Sequence, residues 1–435
     1  MLFSHRISEI SYQNTNEIVS VVGFVEKVRD QKKMQFVVIN DQTGRAQLVN
    51  NKLDNPDLSE QISKISVGST VQVQAEIQTN PHSRLSGLDF NIIKIKVLSE
   101  ACRPLPIDDK SSEELQLDWR SISLRSDKNQ LMMRVQTTLE EAMRDFWSTE
   151  GFIEIHSPKL MGAASESGSE LFSLDYFGGK AFLAQSPQFY KQMAMSGGLD
   201  KVFEIGPVFR ANPSFTSRHD TEFTSVDMEI SWIDSHEDVM QLEERWLRHI
   251  IAKVADLHGE DILKVFNTNI VIPKLPFPRI TFSQAHSLVK SQGYVPFKAD
   301  DLDPESERRL FEWVKKEFSH EFVFVTDWPV SARPFYHMCY SDRQHTTKSF
   351  DLIWRGLEIT TGAQREHRYE TLASQAKAKG LSAESIGPYL QSFKYGCPPH
   401  GGCGIGLTRL LMILLGAKSV REVTFLYRGP NRLTP

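Results

Sequence analysis

The stretch that decides the fold is VFRANPSFTSRHDTEFTSVDMEISW, residues 208–232. In it a long polar segment containing Arg, His and Asp separates two apolar runs, and both runs are rich in residues that favour β-strands. A turn of about two residues is enough to reverse a chain between antiparallel strands, so a segment of this length favours a binding loop. Taken alone, the same residues fit a solvated hairpin tip equally well.

Length and charge narrow the class of protein. At 435 residues the chain can hold about two or three domains, and its hydrophobic and charged fractions, 40% and 24%, are ordinary for a globular protein. The formal net charge of −5 argues mildly against a nucleic-acid partner, because phosphate binding normally relies on a basic excess. The distribution of charge matters more, and Lys27, Arg29, Lys32 and Lys33 fit either a basic patch or a solvated face.

Targeting and redox signals favour a cytoplasmic protein. No apolar run reaches the length of about eighteen residues that suggests a membrane helix, and the N-terminus MLFSHRISEI lacks the basic-then-apolar pattern of a secretion signal. The four cysteines show no CxxC spacing and are interpreted as reduced thiols. A metal shared by Cys397 and Cys403 is the weaker alternative.

Residues 17–100 contain short β-rich segments separated by turn signals. These segments are EIVSVVGFVEKV, MQFVVIND, RAQLVNN, STVQVQAEI and LDFNIIKIKVL. Five strands at this spacing predict a small antiparallel barrel, the architecture of an OB-fold, which we assign to residues 1–104. Such barrels commonly bind single-stranded nucleic acid by stacking bases on exposed aromatic rings. Phe36 in the second strand fits either that role or a place in the core.

The rest of the chain reads as a linker and a larger body. Residues 102–125 carry two prolines and many charges without periodicity, which predicts a linker, assigned to residues 105–125. Apolar residues at helical spacing from Leu131 to Phe146 predict a helix, followed by a strand that ends at Pro158. A cap-like Ser235 begins a second helix, expected to end near residue 257. The mixture of strands and helices in residues 126–435 indicates an α+β body.

Four segments of this body combine residue types that bind ligands. GAASESGSELF (162–172) is a small-residue loop of the kind that forms lids, and AQSPQFYKQ (184–192) groups Gln and Lys. FDLIWRGLEITTGAQREHR (350–368) carries two acids and an arginine, and PPHGGCGIGLTRLLMILLG (398–416) runs from glycines into an apolar helix. Each segment alone is only weak evidence for a ligand-binding site.

Two of these segments leave more than one interpretation open. Glycines ahead of a helix can bring backbone N–H groups to an anion, but this segment lacks the GK[ST] ending of a P-loop and any βαβ context. Asp351 and Glu358 would each be ordinary surface acids if taken singly. Beside a phosphate ligand, the same pair of carboxylates suits Mg²⁺.

The order of the segments resembles class II aminoacyl-tRNA synthetases. The strand ending at Pro158, the FRA-loop-RH-EF hairpin and the GIGLTR helix are similar to motifs 1, 2 and 3 of that class, and the five-strand barrel to that of subclass b. QSPQFYKQ, GAQREH, PPHGG and the terminal RLTP resemble the aspartyl members. The resemblance spans essentially the whole chain and is to the compact archaeal and eukaryotic type. It implies an OB-fold anticodon-binding domain, and a catalytic domain built on an antiparallel sheet flanked by helices.

By this resemblance the hairpin holds ATP, which is a substrate, together with Mg²⁺ as cofactor. Arg210 would bind the α-phosphate, Arg218 and His219 the outer phosphates, and Phe223 would stack on adenine. Arg409 would close the other face of the base and reach the γ-phosphate, so that Arg210 and Arg409 are the catalytic residues. The implied metal ligands are Asp351, Glu358 and Thr361. The resemblance predicts no protein nucleophile, since the enzyme only positions groups and neutralises charge.

One position departs from the family's pattern. The hairpin of the family usually reads Arg-x-Glu, with the acid accepting a hydrogen bond from the adenine amino group, whereas this chain has Asn212. An amide carbonyl can accept the same hydrogen bond without charge. We therefore expect an active enzyme.

The amino-acid substrate implied by the resemblance is L-aspartate. Lys191 and Arg365 would bind its side-chain carboxylate, the first as a point charge and the second as a bidentate fork. Asp227 would bind the ammonium group, with Gln188 and the lid residue Glu166 beside it. Asparaginyl relatives lack the QSPQ-x-x-Lys pattern, so Lys191 favours aspartate.

The remaining expectations concern tRNA and assembly. Phe36 would stack on an anticodon base, with Arg29 and Gln47 as hydrogen-bonding partners. Archaeal-type members restricted to one tRNA tend to have Trp at the position of Glu26 and Lys near Pro81, and neither is present. We therefore expect charging of tRNA(Asp) and also of tRNA(Asn). The enzyme is expected to work as a homodimer. The alternatives are an asparaginyl-tRNA synthetase, an impaired paralogue that binds RNA, and a tRNA-independent amide-forming ligase.

Overall fold

The computed structural model describes residues 1–83, 87–162, 170–214, 216–381 and 386–435. Its contacts divide the chain into two compact units, Met1–Arg125 and Ser126–Pro435. Within the described ranges, no helix is both long and apolar enough to cross a membrane.

The first unit is built on a closed five-stranded barrel, which confirms the predicted architecture. The strands follow the order β1-β2-β3-β5-β4, and β3 and β5 pair in parallel while the other neighbours are antiparallel. Alternate apolar residues, such as Val19 and Val21 of β1, fill the interior. Two short helices lie in the segment expected to be a linker. The elements are β1 Ile18–Asp30, β2 Met34–Asn40, β3 Arg45–Asn51, α1 Pro56–Lys64, β4 Thr70–Thr79, β5 Leu88–Ser99, α2 Glu113–Asp118 and α3 Arg120–Ser123.

The second unit is an α+β body around an eight-stranded sheet of order β12-β13-β14-β15-β16-β11-β10-β6. The centre of the sheet is antiparallel, and one parallel pair lies at each edge. β7, β9 and β8 form a separate small sheet. The elements are α4 Asp127–Thr149, β6 Ile153–Glu154, β7 Leu160–Met161, β8 Ser173–Tyr176, β9 Gly179–Leu183, α5 Gln188–Ser196, β10 Lys201–Phe209, β11 Glu222–Ser231, α6 His236–Phe266, β12 Arg279–Thr281, α7 Phe282–Ser291, α8 Pro304–Phe318, β13 Phe322–Thr326, β14 Ser349–Trp354, β15 Leu357–Gln364, α9 Tyr369–Ala378, α10 Gly387–Lys394, β16 His400–Gly406 and α11 Leu407–Leu415.

Helices α4 and α6 pack together and support the sheet. Trp147 of α4 lies 4.7 Å from Trp246 of α6 and 4.5 Å from Phe203 of β10, measured between ring centroids. The capping box predicted at Ser235 is present, but α6 continues to Phe266, well beyond residue 257. Its last turns stay helical because Ile262 is fully buried and keeps the apolar face packed.

One strand boundary predicted in this unit was wrong, and one strand was not predicted. The strand predicted to end at Pro158 is only β6, Ile153–Glu154, because the chain meets the sheet at its edge beside Val202 and Phe203 and then leaves it. The glycine-rich segment before α11, for which the sequence left the structure open, is the central strand β16.

The glycines of β16 make room for acids on the neighbouring strand. β16 pairs with β11 so that Gly402 lies opposite Glu229 and Gly404 opposite Asp227. A Cβ atom at Gly402 would lie 2.1 Å from the Met228 carbonyl oxygen and 2.2 Å from Glu229 Oε2. A Cβ at Gly404 would lie 2.7 Å from Asp227 Oδ1. Side chains at these positions would therefore displace both acids.

We expect Gly402→Ala to lower the free energy of unfolding by about 1–3 kcal/mol, the typical cost of overpacking. The matched control is Gly259→Ala in α6, where an added Cβ meets nothing within 4 Å. That change should stabilise by up to about 1 kcal/mol, because alanine favours a helix. Chemical denaturation of both variants measures the difference. Equal effects of the two substitutions would contradict the packing argument.

Candidate active site

The second unit contains a cavity of about 460 Å³ lined by residues of β11, β15, β16, α5 and α11 and by the loop after β10. Most of the predicted site residues of this unit line it together. They are Gln188, Lys191, Arg210, Asn212, Arg218, His219, Phe223, Asp227, Glu358, Thr361, Arg365 and Arg409. Asp351 does not line the cavity, and Glu166 lies outside the described residues.

One end of the cavity gathers three arginines around the hairpin loop. Arg210 follows β10 directly, and its guanidinium carbon lies 5.6 Å from the centroid of the Phe223 ring. Arg409 of α11 donates to the Arg218 carbonyl at 3.3 Å and to the Glu358 carbonyl at 3.5 Å. Strand β10, strand β11 and helix α11 thus bring the cations together. A group with several negative charges suits this end of the cavity.

One histidine and one acid beside these arginines have shifted pKa values. Burial lowers the pKa of His219, and Arg409 and Arg218 lower it further. Burial raises the pKa of Asp220 to about 6, although a hydrogen bond from Thr408 and the charge of Arg409 oppose that shift. His219 is therefore a neutral imidazole near neutral pH.

Arg218 is held by an acid that the sequence did not point to. Its Nη1 donates to Oε2 of Glu307 at 2.9 Å, and Glu307 lies in the first turn of α8 with only 6% of its surface exposed. Burial raises the pKa of Glu307 to about 7, and the Glu358 carboxylate acts in the same direction. A phosphate that binds Arg218 would approach a guanidinium with one edge already occupied.

The other end of the cavity holds two buried cations. Lys191 of α5 is 2% exposed, and its Nζ lies 3.0 Å from Asp227 Oδ1 and 3.2 Å from Glu229 Oε2. It also donates to the Cys403 carbonyl at 3.2 Å. Asp227 accepts from the Ser225 hydroxyl as well. Each charge is thereby paired within a buried cluster.

Arg365 is the second cation and is equally buried. Its Nε donates to Glu229 Oε1, its Nη1 to His337 Nε2 and its Nη2 to the Gly402 carbonyl, each at 2.9 Å. Burial opposes the charge of Arg365, but Glu229 raises the pKa of the guanidinium. Burial likewise opposes ionisation of Glu229, whose pKa Arg365 and Lys191 nevertheless lower. Both groups are therefore ionised.

The remaining cavity residues are held by local contacts. Gln188 donates to Gln192 Oε1 at 2.8 Å, which orients its amide. Asn212 Oδ1 accepts from the Ser214 backbone N–H at 2.8 Å, so its carbonyl oxygen is already in use. A ligand donor that binds this oxygen would share it with Ser214 or replace that contact.

The predicted metal ligands form a partial set. Glu358 and Thr361 line the cavity and share a hydrogen bond of 3.3 Å, whereas Asp351 lies buried 2.7 Å from Nη2 of Arg333. Burial raises the pKa of Asp351 to about 6, against the effect of Arg333, and Asp351 Oδ1 has no hydrogen-bond partner among the described residues. The oxygen donors fit Mg²⁺, which usually takes one or two carboxylates plus water and phosphate. In the described ranges no group of three metal-ligating side chains forms a cage.

The three residues predicted to bind an anticodon meet on the barrel of the first unit. Arg29 of β1 pairs with Phe36 of β2 in register, and its guanidinium carbon lies 5.5 Å from the Phe36 ring centroid. Arg29 also donates to Gln47 Oε1 at 3.2 Å. Phe36 alternates with the fully buried Val37 and is itself only half-buried. Its ring is therefore outside the barrel core.

Sequence reasoning missed several site residues. Glu229 had a visible signal, because residues two apart on a strand share a face and Asp227 had been assigned to the site. His337, Arg333 and Glu307 had none, since they lie in segments without a ligand-binding pattern. Their contacts depend on which strands and helices become neighbours.

Comparisons with known proteins identify the family. The family model described as tRNA synthetases class II (D, K and N) matches residues 112–428. A second model, described as an OB-fold nucleic acid binding domain, matches residues 19–98. Both domains predicted from the sequence are thus recognised independently.

Similar proteins cover the whole chain. The aspartate–tRNA(Asp) ligase of Pyrococcus abyssi is 40% identical, and the aspartate–tRNA(Asp/Asn) ligase of Methanopyrus kandleri is 39% identical, each over 100% of both chains. Among solved structures, asparaginyl-tRNA synthetase from Pyrococcus horikoshii complexed with asparaginyl-adenylate has a TM-score of 0.93 at 29% identity and covers 100% of both chains. A putative aspartyl-tRNA synthetase from Leishmania major has a TM-score of 0.89 at 29% identity and covers 99% of this chain and 95% of that one. With its catalytic model, its barrel and its full-length relatives in agreement, the chain belongs to the class II tRNA synthetases of the D, K and N group.

Proposed function

We propose that the protein is an aspartate–tRNA ligase. It joins L-aspartate to ATP, giving aspartyl-adenylate and pyrophosphate, and then transfers the aspartyl group to the 3′ end of tRNA. The observation that carries this proposal is the presence of two buried cations, Lys191 and Arg365, in the same cavity as the arginine cluster. One end of the cavity suits a carboxylate side chain and the other a triphosphate.

The chemistry of the first step needs no protein nucleophile. An oxygen of the α-carboxylate of aspartate attacks the α-phosphorus of ATP, the new O–P bond forms, and the bond to pyrophosphate breaks. Arg210 binds the α-phosphate where negative charge builds up, while Arg218, His219 and Arg409 hold the outer phosphates. Phe223 and Arg409 hold the two faces of adenine, and Asn212 accepts from its amino group. The protein lowers the barrier by positioning and charge stabilisation.

The buried charges at the second end of the cavity select the amino-acid substrate. Asp227 takes the ammonium group of aspartate, and the resemblance assigns Gln188 and Glu166 to binding of the same substrate. Lys191 and Arg365 bind the side-chain carboxylate.

Mg²⁺ belongs to this reaction as the partner of ATP. Glu358, Asp351 and Thr361 would hold it, and bound there it would neutralise phosphate charge. Asp351 would offer Oδ1 to the metal, because Arg333 is paired with Oδ2 while Oδ1 has no hydrogen-bond partner among the described residues.

The second substrate is tRNA, with the barrel of residues 1–104 as anticodon-binding domain, 105–125 as hinge and 126–435 as catalytic domain. Phe36 stacks on an anticodon base, and Arg29 and Gln47 bind its polar edge. We extend the tRNA range from tRNA(Asp) to tRNA(Asn), because Glu26 occupies the position where restricted relatives tend to have Trp. The protein acts as a homodimer in the cytoplasm.

The asparaginyl-tRNA synthetase alternative has support from the likeness to the Pyrococcus horikoshii structure. The two cations next to the substrate side chain favour aspartate, because an amide gains less from them than a carboxylate does. An RNA-binding paralogue without catalysis would have no need for the paired charges around Lys191.

Pyrophosphate exchange and tRNA charging separate these functions. The purified protein should exchange pyrophosphate with aspartate and much less with asparagine, and it should charge both tRNA(Asp) and tRNA(Asn) with aspartate. Exchange driven by asparagine alone would establish the alternative synthetase, exchange without tRNA charging would favour the amide-forming ligase, and no exchange with either amino acid would favour the paralogue.

We expect Arg210→Ala to lower aspartate-dependent pyrophosphate exchange by roughly a hundredfold to a thousandfold, the cost typical of removing one charge-stabilising donor. Because Arg210 is exposed and lies in a loop, folding should be unaffected. Circular dichroism of the variant provides the control. Unchanged exchange would exclude the α-phosphate role.

We expect Arg365→Ala to damage kcat/KM for aspartate much more than for asparagine, because only the charged substrate loses a charged partner. Lys191→Met should have the same effect more mildly, since a point charge selects geometry less than a fork does. Adenylate formation with each amino acid measures the ratio. A ratio that stays constant in Arg365→Ala would remove the physical basis of the aspartate assignment.

We expect Phe36→Ala to weaken tRNA charging while pyrophosphate exchange stays normal, because stacking contributes about 1–3 kcal/mol per base. Val37→Ala, a change of the buried neighbour, serves as the matched control and should reduce barrel stability instead. Parallel losses in both assays for Phe36→Ala would show that its ring serves folding alone.

A further inference from the structure

His337 contacts Arg365 and is not among the residues proposed to bind ATP or aspartate. It follows β13 in the chain, pairs with Arg365 in an isolated antiparallel bridge, and is 2% exposed while lining the cavity. Gln375 of α9 donates to the His337 carbonyl at 3.0 Å, which fixes the backbone that carries the ring.

The contact with Arg365 determines the tautomer of the imidazole. A guanidinium can only donate, so the Nε2 that lies 2.9 Å from Arg365 Nη1 must be the unprotonated nitrogen. The ring proton is therefore on Nδ1, which has no partner among the described residues. Burial holds the pKa of His337 well below its usual range, and the charges of Arg365, Arg333 and Lys191 lower it further.

Three acceptors from different parts of the fold fix the plane of Arg365. Glu229 of β11 takes Nε–H, the Gly402 carbonyl of β16 takes Nη2–H, and His337 takes Nη1–H. A guanidinium has five N–H groups, so these three contacts leave two for a ligand. Of the three acceptors, one is charged, one is backbone, and His337 is the neutral side chain.

The absence of charge on His337 matters for the balance of charge at this end of the cavity. Lys191 and Arg365 already face two acids, Asp227 and Glu229, so a third acid would give this end of the cavity an excess of negative charge. That excess would repel the side-chain carboxylate of the substrate. An imidazole orients Arg365 without adding charge.

We propose that His337 is a positioning residue for amino-acid selection, which aims the fork of Arg365 at the side-chain carboxylate of the substrate through its Nε2 acceptor. The proposal rests on the proposed function, since it deepens the aspartate selection assigned to Arg365. His337 acts through Arg365 and touches no reacting atom.

Two nearly isosteric substitutions separate the two ring nitrogens. In His337→Gln the side-chain carbonyl oxygen can lie where Nε2 was and accept from Arg365, while the Nδ1–H donor is lost. In His337→Asn the shorter amide reaches the position of Nδ1 but not that of Nε2. His337→Ala removes both.

The measurement is kcat/KM in pyrophosphate exchange for aspartate and for asparagine, with KM for ATP and the melting temperature of each variant. We expect His337→Gln to keep the aspartate-to-asparagine ratio within about threefold of wild type. His337→Asn and His337→Ala should lower that ratio by roughly ten- to a hundredfold, the range for losing a hydrogen bond to a charged group. KM for ATP should not change in any of them. In an Arg365→Ala background, His337→Ala should cause no further loss, because the two act as one unit.

Several outcomes would overturn the proposal. If His337→Asn keeps the ratio and His337→Gln loses it, the ring acts through Nδ1. If all variants lose stability and both amino acids suffer equally, His337 only supports the fold. A wild-type protein without aspartate-dependent exchange would refute the proposed function itself, and the proposal with it. That result is distinct from an active wild type whose ratio is insensitive to His337.

Discussion

The ion array around Glu229 is the interaction on which the rest of the site depends. Its carboxylate is fully buried between Lys191 and Arg365, 3.2 Å and 2.9 Å away. Burying a charge is costly unless it is paired, so removal of one member leaves the others uncompensated. Such an array adds little net stability compared with apolar packing. Its value lies in holding two buried cations at fixed positions.

The central sheet is shaped around this array. Glu229 and Asp227 lie on one face of β11 because residues two apart on a strand point the same way. The neighbouring strand β16 has glycine opposite each acid, since any side chain there would overlap the carboxylates. The glycines ahead of α11 therefore serve the end of the cavity that holds Lys191 and Arg365. They clear space for side chains from the next strand, and the backbone carbonyl of Gly402 accepts a hydrogen bond from Arg365.

Local pattern predicted much of this architecture, and the failures have one physical origin. Alternation of apolar residues gave the barrel strands, and the hairpin of β10 and β11 followed from two β-rich runs joined by a polar loop. The same reasoning could not show that the glycine-rich segment forms strand β16 between β11 and β15, because glycine is uncommon in strands. It could not pair Arg333 with Asp351 or Glu307 with Arg218, because those contacts join segments far apart in sequence. The predicted residues that line the cavity were found where their own neighbours in sequence carried a signal. Glu229, two residues after Asp227 on the same strand, could have been found in the same way.

The balance of charge bears on how the site can tell aspartate from asparagine. Lys191 and Arg365 are matched by Asp227 and Glu229, so net charge alone gives little attraction for an additional carboxylate. The direction of the hydrogen bonds distinguishes the two amino acids better than net charge does. Lysine and arginine side chains can only donate, a carboxylate presents two accepting oxygens, and the amide of asparagine presents one oxygen and one NH₂ group. Wherever the NH₂ group faces a guanidinium or ammonium, two donors meet and both stay unpaired in a buried site, which costs several kcal/mol. Sites built on such complementarity can favour one substrate over the other by a factor of roughly 10⁴ or more in kcat/KM. Under the proposed function, selection of aspartate would depend on the fixed direction of each donor, and the acceptors that hold Arg365 would then matter as much as its charge.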